Sequence, residues 1–293
     1  MSELTVGKPV VSVLVPCYNR EQYIEEALLS ILHQDYPRFE LIVVDDGSQD
    51  GSAEKIEALA QRYNFQFYRQ SNQGVSAALN YAFSFARGDL IATVDSDDVV
   101  LPGRLAIQAS YMMEHPEVGC LGAKMLYVDA RGRRLKGETG RQVERYAFAE
   151  LLATAHAIGG GVAMYRREAM ERVGGYDPDI RIQDFQMTLK ISYLGYCVDV
   201  LPDLLICYRQ HSDNLSRTAY KRQLDYDLMA ISPYSEHPQY MAGVTSVINK
   251  ALKRSVVYDK KYAWSLLLSI PPWRWDRATW RRLRHLLFKF SES

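Results

Sequence analysis

The stretch "VDSDDVVLP", Val94 to Pro102, sets three carboxylates within four positions: Asp95, Asp97 and Asp98. Its flanks are apolar. Like charges side by side repel, and each resists leaving water. Two arrangements resolve the conflict: a bound cation, or plain exposure in a turn. Three other polar clusters follow apolar runs in the same way: "PCYN" (Pro16 to Asn19), "DDGS" (Asp45 to Ser48) and "SNQG" (Ser71 to Gly74).

The apolar runs say where those clusters sit. "VVSVLVPCY", "FELIVVDDGS", "FQFYRQ" and "DLIATVDSDD" read as strands, short and rich in β-branched or aromatic residues. Between them lie "NREQYIEEALLSILHQ", "SAEKIEALAQRY" and "GVSAALNYAFSFAR", with helical periodicity. In the first, Tyr23, Ile24, Ala27, Leu28, Ile31 and Leu32 form one stripe, and Asn19 with Gln22 is expected to cap its start. Gly88 is expected to stop the third. Alternating strand and helix predicts an α/β doubly wound sheet of parallel strands with helices on both faces. Ligands of such sheets bind at the carboxyl ends of the strands. All four polar clusters fall there, although each alone also suits an ordinary turn.

The middle of the chain is less periodic. "VGCLGAKMLYVDARGRRL" reads as strand and turn, and "DFQMTLKISYLGY" as a helix with Phe185, Leu189 and Ile191 inward. From about Ala219 the chain reads as helical.

Composition narrows the classes. A chain of 293 residues, 47% hydrophobic and 24% charged, suits one large domain with an appendage. Lys plus Arg equals Asp plus Glu at 35 each, so nucleic acid is not expected as a partner. Four cysteines without CxxC spacing suggest reduced thiols and a cytoplasmic location. "MSELTVGKPV" lacks a secretory pattern. The apolar "LLATAHAIGGGVAMY" is broken by three glycines and is too short to span a bilayer.

In order and at similar spacings, "VSVLVPCYNREQYIEEALLSILHQ", "ELIVVDDGSQDGS", "NQGVSAALNYAFSFARGDLIATVDSDD", "GGYDPDI" and "QDFQMTLKIS" resemble glycosyltransferase family 2, from about Val10 to Ser216. The resemblance implies the A-type glycosyltransferase fold, a Rossmann-like, mostly parallel sheet flanked by helices. It also implies an inverting mechanism, a nucleotide-diphosphate sugar donor and a divalent cation. On that basis residues 1–218 form the catalytic domain, with a nucleotide-binding part at about 8–103 and an acceptor part at about 104–218. Residues 219–293 form a helical extension.

The same resemblance assigns roles. The departing nucleoside diphosphate gains negative charge, which a cation neutralises; Mn2+ or Mg2+ takes one or two carboxylates plus phosphate oxygens. Asp97 is the first ligand expected, Asp98 the second, and His211 in "CYRQHSDNLSR" a further one. Asp95, with Ser96, falls to the donor's ribose or sugar. Asp45 and Asp46 match ligands of base and ribose, and Pro16, Tyr18 and Asn19 the lining of the base. Asn72, Gly74 and Asn80 match nucleotide contacts, although Leu79 stands where many members carry Arg. Asp184 matches the base that deprotonates the acceptor hydroxyl, with Gln183 where the family has Glu. Gly160, Gly161 and His156 fall to acceptor or donor sugar, and Arg209 or Arg217 to phosphate. The competing readings are helix caps for Asp97, Asp98 and Asp184 and a structural role for His211.

The tail differs. "PPWRWDRATWRRLRHLLFKF" sets Arg274, Arg277, Arg281, Arg282, Arg284 and Lys289 against Asp276 alone. Trp280, Leu283, Leu287 and Phe290 recur at helical spacing. Such a helix suits a membrane surface or an oligomer interface through residues 271–290. The resulting expectation is a metal-dependent inverting glycosyltransferase, UDP-sugar favoured, acting on a glycan or lipid-linked acceptor in surface polysaccharide or cell-envelope glycan synthesis. Its location would be cytoplasmic, peripheral at the inner face of the cell membrane. A phosphatase motif fails because Asp45 and Asp46 are adjacent. A nucleotide-sugar or glycan-binding scaffold with weakened catalysis remains the alternative, because of Gln183.

Overall fold

β-Branched residues build the first strand, β1 (Val11–Cys17), buried along nearly its whole length. It lies between β2 (Phe39–Asp45) and β4 (Leu90–Thr93), parallel to both, and β3 (Gln66–Arg69) extends the sheet beyond β2. The connecting helices are α1 (Ile24–Leu32), α2 (Ser52–Tyr63) and α3 (Val75–Phe85). α1 buries Ile24, Ala27, Leu28 and Ile31, four of the six residues of the expected stripe. This half is the doubly wound pattern that the sequence predicts.

The computed structural model describes residues 7–137, 140–181, 183–212 and 220–288. Arg217, Lys289 and Phe290 lie outside the described residues. Beyond β4 the sheet turns mixed. Its order is β3-β2-β1-β4-β9-β6-β10-β5, with β9 (Met164–Arg166) antiparallel to β4 and to β6 (Val118–Asp129). β10 (Cys197–Gln210) runs parallel to β6 over most of its length, and β5 (Val99–Val100) is antiparallel to β10. β7 (Arg134–Gly137) forms a hairpin on β6, and β8 (Glu144–Tyr146) pairs with β10. α4 (Arg104–Glu114), α6 (Arg167–Arg172) and α7 (Gln183–Tyr193) complete this part. Phe185, Leu189 and Ile191 of α7 are buried as expected.

Three local expectations change. Asn19 does not cap α1. It adopts a left-handed φ of 52° and its Oδ1 accepts from Gln49 N, while α1 begins five residues later without a side-chain cap. α3 ends at Phe85, so Gly88 does not stop it. Gly88 instead lies against β1, where a Cβ would sit 2.6 Å from Ser12 N. The acids of "SDD" cap no helix: β5 follows them directly, and the N-cap of α4 is Gly103.

The chain divides into two compact units, one of Met1–Ala147 with Ala157–His211, the other of Phe148–His156 with Ser212–Ser293. The second unit contains α5 (Phe148–Thr154), α8 (Tyr220–Ile231), α9 (Tyr240–Tyr258), α10 (Lys260–Ser269) and α11 (Arg277–Phe288). α5 groups there, rather than with the acceptor part, for a packing reason. Phe148 meets Tyr234 and His237 edge-on, and Ser246 Oγ donates to Ala153 O at 2.6 Å. α11 docks on α9 through a buried bond from Asn249 Nδ2 to Thr279 Oγ1, 2.8 Å, and its start is capped by Asp276. Among the described residues no helix is long and apolar enough to cross a membrane.

Candidate active site

The loop after β4 holds the acids among buried partners. Asp98 Oδ1 accepts the Arg209 backbone N–H at 2.8 Å. Its Oδ2 is buried and has no hydrogen-bond partner. Asp97 Oδ2 accepts from Arg20 Nε at 2.9 Å and from His211 Nε2 at 3.0 Å. His211 stacks on Tyr23 of the loop before α1, ring centroids 5.0 Å apart.

The electrostatics of the three acids diverge. Burial, then the charges of Asp97 and Asp184, pushes Asp95 up to about 7. Burial, then Asp95 and Asp97, raises Asp98 well above the carboxylate range. Burial pulls Asp97 the same way, but the His211 hydrogen bond and the Arg20 charge outweigh it and hold Asp97 low. Burial and mutual repulsion thus favour the neutral forms of Asp95 and Asp98, while Asp97, paired with His211 and Arg20, keeps its charge.

A glycine turn faces the acids. Gly160–Val162 forms a single 3-10 turn leading into β9. A Cβ on Gly161 would lie 2.9 Å from Asp98 Oδ2 and 3.0 Å from Asp95 Oδ2. One on Gly160 would lie 3.0 Å from Gln183 Nε2 and 3.6 Å from Asp184 Cβ. The two glycines thus separate the acid cluster from the first turn of α7. Asp184 also serves that turn, since its Oδ1 accepts Phe185 N at 2.8 Å. Beneath the turn lies Arg104, fully buried, donating to Gly161 O at 2.8 Å and Thr93 O at 3.0 Å. Burial pushes Arg104 down to about 10, against the pull of Asp98 and Asp95.

The ends of β1 and β2 form the adjoining rim. Asp46 N donates to Cys17 O at 2.7 Å, and Asn19 N to Ser48 Oγ at 2.9 Å. The Asp46 carboxylate accepts three donors: Gln70 Nε2, Gln73 N and Gly74 N. Asn72 Nδ2 donates to its carbonyl. Asp46 therefore organises the "SNQG" loop, with Gly74 at a φ of 93°. Asp45 differs: its Oδ2 accepts Ser48 N and Arg69 Nε, and its buried Oδ1 has no partner. Pro16 is half-buried near the end of β1 and Tyr18 is exposed. Ser96 is buried against the Cys17 thiol, which burial, chiefly, pushes up to about 12.

The profile of Glycosyl transferase family 2 matches residues 12–174, more than half of the chain. The chain belongs to glycosyltransferase family 2. It is therefore a transferase enzyme. One relative is the amylovoran biosynthesis glycosyltransferase AmsE of Erwinia amylovora, 29% identical over 70% of this chain and 78% of that one. Among solved structures, S. aureus TarS 1-349 in complex with UDP-GlcNAc aligns with a TM-score of 0.65 at 22% identity, covering 94% of this chain and 81% of that one. The mannosyltransferase PcManGT of Pyrobaculum calidifontis, in complex with GDP-Man and Mn2+, aligns with a TM-score of 0.64 at 21% identity, covering 96% and 86%. The fold is that of the A-type glycosyltransferases.

Within this family-2 chain, most residues singled out from the sequence gather on one rim, but three do not reach it as expected. Asn80 clamps the backbone of Tyr176, donating to its O at 2.8 Å and accepting its N–H at 2.9 Å, so both ends of its amide are spent. Arg209 is buried and donates to Asp97 O, Ala130 O and Glu26 Oε2 rather than facing a phosphate. His156 lies just beyond α5, its N–H bonded to Leu151 O, and belongs to the second unit.

Two residues that the sequence reading missed are Arg20 and Arg104. An Arg in a sequence carries no mark of burial.

For a divalent cation the donor set fits in one specific way. Among the described residues no three His, Cys, Asp or Glu side chains form a cage of their own. The donor set that suits a hard cation is the orphaned Asp98 Oδ2 with Asp95 Oδ2 beside it, 2.9 and 3.0 Å from where a Cβ on Gly161 would sit; a cation held there would complete its shell with phosphate oxygens.

Proposed function

We propose that this glycosyltransferase is metal-dependent and inverting, and transfers a sugar from a nucleoside-diphosphate sugar to a glycan or lipid-linked acceptor during surface polysaccharide or cell-envelope glycan synthesis. The supporting observation is the glycine pair with Asp95 and Asp98 on one side and Gln183 and Asp184 on the other.

Asp97 and Asp98 would hold Mn2+ or Mg2+; His211, expected as a further ligand, is assigned instead to fixing Asp97, because its Nε2 lies 3.0 Å from Asp97 Oδ2. When bound, the ion neutralises charge on the departing diphosphate. Asp95 and Ser96 are assigned to the donor's ribose or sugar. Asp184 takes the proton of the acceptor hydroxyl. That oxygen then bonds to the anomeric carbon from the face opposite the diphosphate, which leaves with the electron pair of the broken bond. Attack from the opposite face inverts the configuration. Gly160 and Gly161 keep the intervening space clear.

A uridine nucleotide is favoured because a carboxylate can accept uracil N3–H. Asp45, with its orphaned Oδ1, suits that role better than Asp46, both of whose oxygens already have donors. TarS in complex with UDP-GlcNAc supports this choice, and PcManGT with GDP-Man and Mn2+ supports the cation. Tyr18 and Pro16 are assigned to the base, and Asn19, Asn72 and Gly74 to the surrounding rim. A lipid-linked acceptor would place the enzyme in the cytoplasm, peripherally at the inner face of the cell membrane.

Calorimetry of UDP with and without Mn2+ tests the reading. UDP affinity is expected to rise with Mn2+, and Asp97→Ala to lower it by more than roughly tenfold, the scale on which even outer partners of metal ligands act. Equal affinity with and without metal sinks the ligand assignment.

A further inference from the structure

The last helices expose apolar side chains among cations. Trp273 is 84% exposed, Leu268 76% and Phe288 75%, with Leu287 at 57% and Trp280 at 56%. Such side chains ordinarily leave water, and a cluster of them marks a contact surface.

The geometry of α11 concentrates them. Successive helical residues turn by about 100°, so Arg277, Trp280, Arg281, Arg284, Leu287 and Phe288 share one arc of roughly 120°. All six are exposed. The opposite side buries Thr279 and Leu286 within the second unit. The outward arc is thus a second, exposed apolar face, studded with three Arg and no acid, on which Trp280 meets Trp275 edge-on. The chain just before it adds Trp273 and Arg274, and α10 adds Lys261, Trp264 and Leu268 on its exposed side.

Charge selects the occupant. From Lys250 to Ser293 the chain carries eleven Lys and Arg against three Asp and Glu, although the whole chain is balanced. Charge asymmetry of this kind between parts of a chain points to an anionic surface. A two-fold contact with a second copy would set the same patch against itself, Arg277, Arg281 and Arg284 facing their own equivalents. A nucleic acid would meet the cations but leave Leu268 and Leu287 in water. An anionic bilayer satisfies both: tryptophans sit at the headgroup level, and arginine stems lie on apolar surface while their heads reach phosphates.

We propose that α11, with the exposed residues of α10 and the segment between them, is a docking surface for an anionic lipid membrane, lying in the interface rather than crossing it. The inference stands on the second unit alone and does not rest on the proposed reaction.

Flotation of the full chain tests it, with vesicles of phosphatidylcholine alone and of phosphatidylcholine with phosphatidylglycerol. The wild type is expected to float with the anionic vesicles and to remain largely behind with the neutral ones, its tryptophan emission shifting to the blue on binding. Each Arg near an anionic surface contributes roughly fivefold in partitioning, so Arg277→Gln/Arg281→Gln/Arg284→Gln is expected to weaken binding by at least about tenfold. Trp273→Ser/Trp280→Ser/Phe288→Ser is expected to abolish flotation. Far-UV circular dichroism checks that these surface variants fold, independently of any activity. Three outcomes overturn the proposal: a wild type that stays behind with anionic vesicles, an aromatic variant that floats unchanged, or light scattering that shows a dimer which the aromatic changes dissociate. Tight binding of a single-stranded oligonucleotide that strips the protein from vesicles counts against it equally.

Discussion

A buried carboxylate oxygen without a partner is costly, and Asp98 Oδ2 is such an atom. The cost is tolerable where a ligand later supplies the partner. This makes Gly161 informative. Gly161→Ala would set a methyl group 2.9 Å from Asp98 Oδ2 and 3.0 Å from Asp95 Oδ2, at a backbone position that does not itself demand glycine. The expected outcome is a folded protein that has lost the Mn2+-dependent part of its UDP affinity; calorimetry that finds this part intact would remove the gap as the cation's place. Asp184→Asn is expected to keep donor affinity while reducing transfer below detection, since an amide accepts no proton at neutral pH. Transfer that persists, followed with labelled donor, removes Asp184 as the base. The acid cluster was legible in the sequence because adjacent carboxylates raise their own question. Arg20 and Arg104 were not, because burial of an Arg is decided by tertiary contacts. Asp45 and Asp46 read alike in sequence, and only their partners distinguish a carboxylate with donors on both oxygens from one with a spare oxygen.

Between elements, the site is held by guanidinium groups that bond to backbone. Arg104 ties α4 to the glycine turn and to the end of β4, and Arg209 ties β10 to the Asp97 carbonyl and to Glu26 of α1. Removing Arg104 leaves the Gly161, Thr93 and Ala163 carbonyls and Gln108 short of a donor. Arg104→Met is therefore expected to destabilise the protein by about 3–5 kcal/mol, the scale for breaking a buried charged network; denaturant unfolding that shows a loss below about 1 kcal/mol, within reach of an ordinary hydrogen bond, contradicts it. Elements differ in how far the sequence reveals them. β1 to β4 and α1 to α3 show their periods openly because each runs long enough to repeat. β5 and β9 are two and three residues long and carry no period. Their pairing is set by β4, β6 and β10, which is why the mostly parallel sheet was legible and its antiparallel strands were not.

Across the whole molecule, chemistry and charge are divided between parts of the chain. The residues assigned to donor, cation and base, from Pro16 to Asp184 and His211, belong to the first unit, and the cationic aromatic arc to the second. The sequence showed the tail as different, but it concealed that α5 belongs with the tail, since that grouping depends on contacts such as Phe148 with Tyr234. If the two units divide the work, their functions separate by mutation. Trp273→Ser/Trp280→Ser/Phe288→Ser shares no residue with the donor side. Independent sites change each other's free energies by less than about 0.5 kcal/mol, so UDP affinity in Mn2+ is expected to stay within roughly twofold of the wild type. Transfer to the same glycan should then depend on how the acceptor is presented. With a water-soluble acceptor the variant should match the wild type. With the acceptor anchored in anionic vesicles it should fall behind, because the wild type alone is concentrated at the surface where the acceptor lies. The ratio of the two rates, measured with labelled donor, isolates the effect of docking from any general loss of activity. An equal decline with both acceptors would mean that the arc supports the catalytic unit itself, and the division of labour would have to be given up.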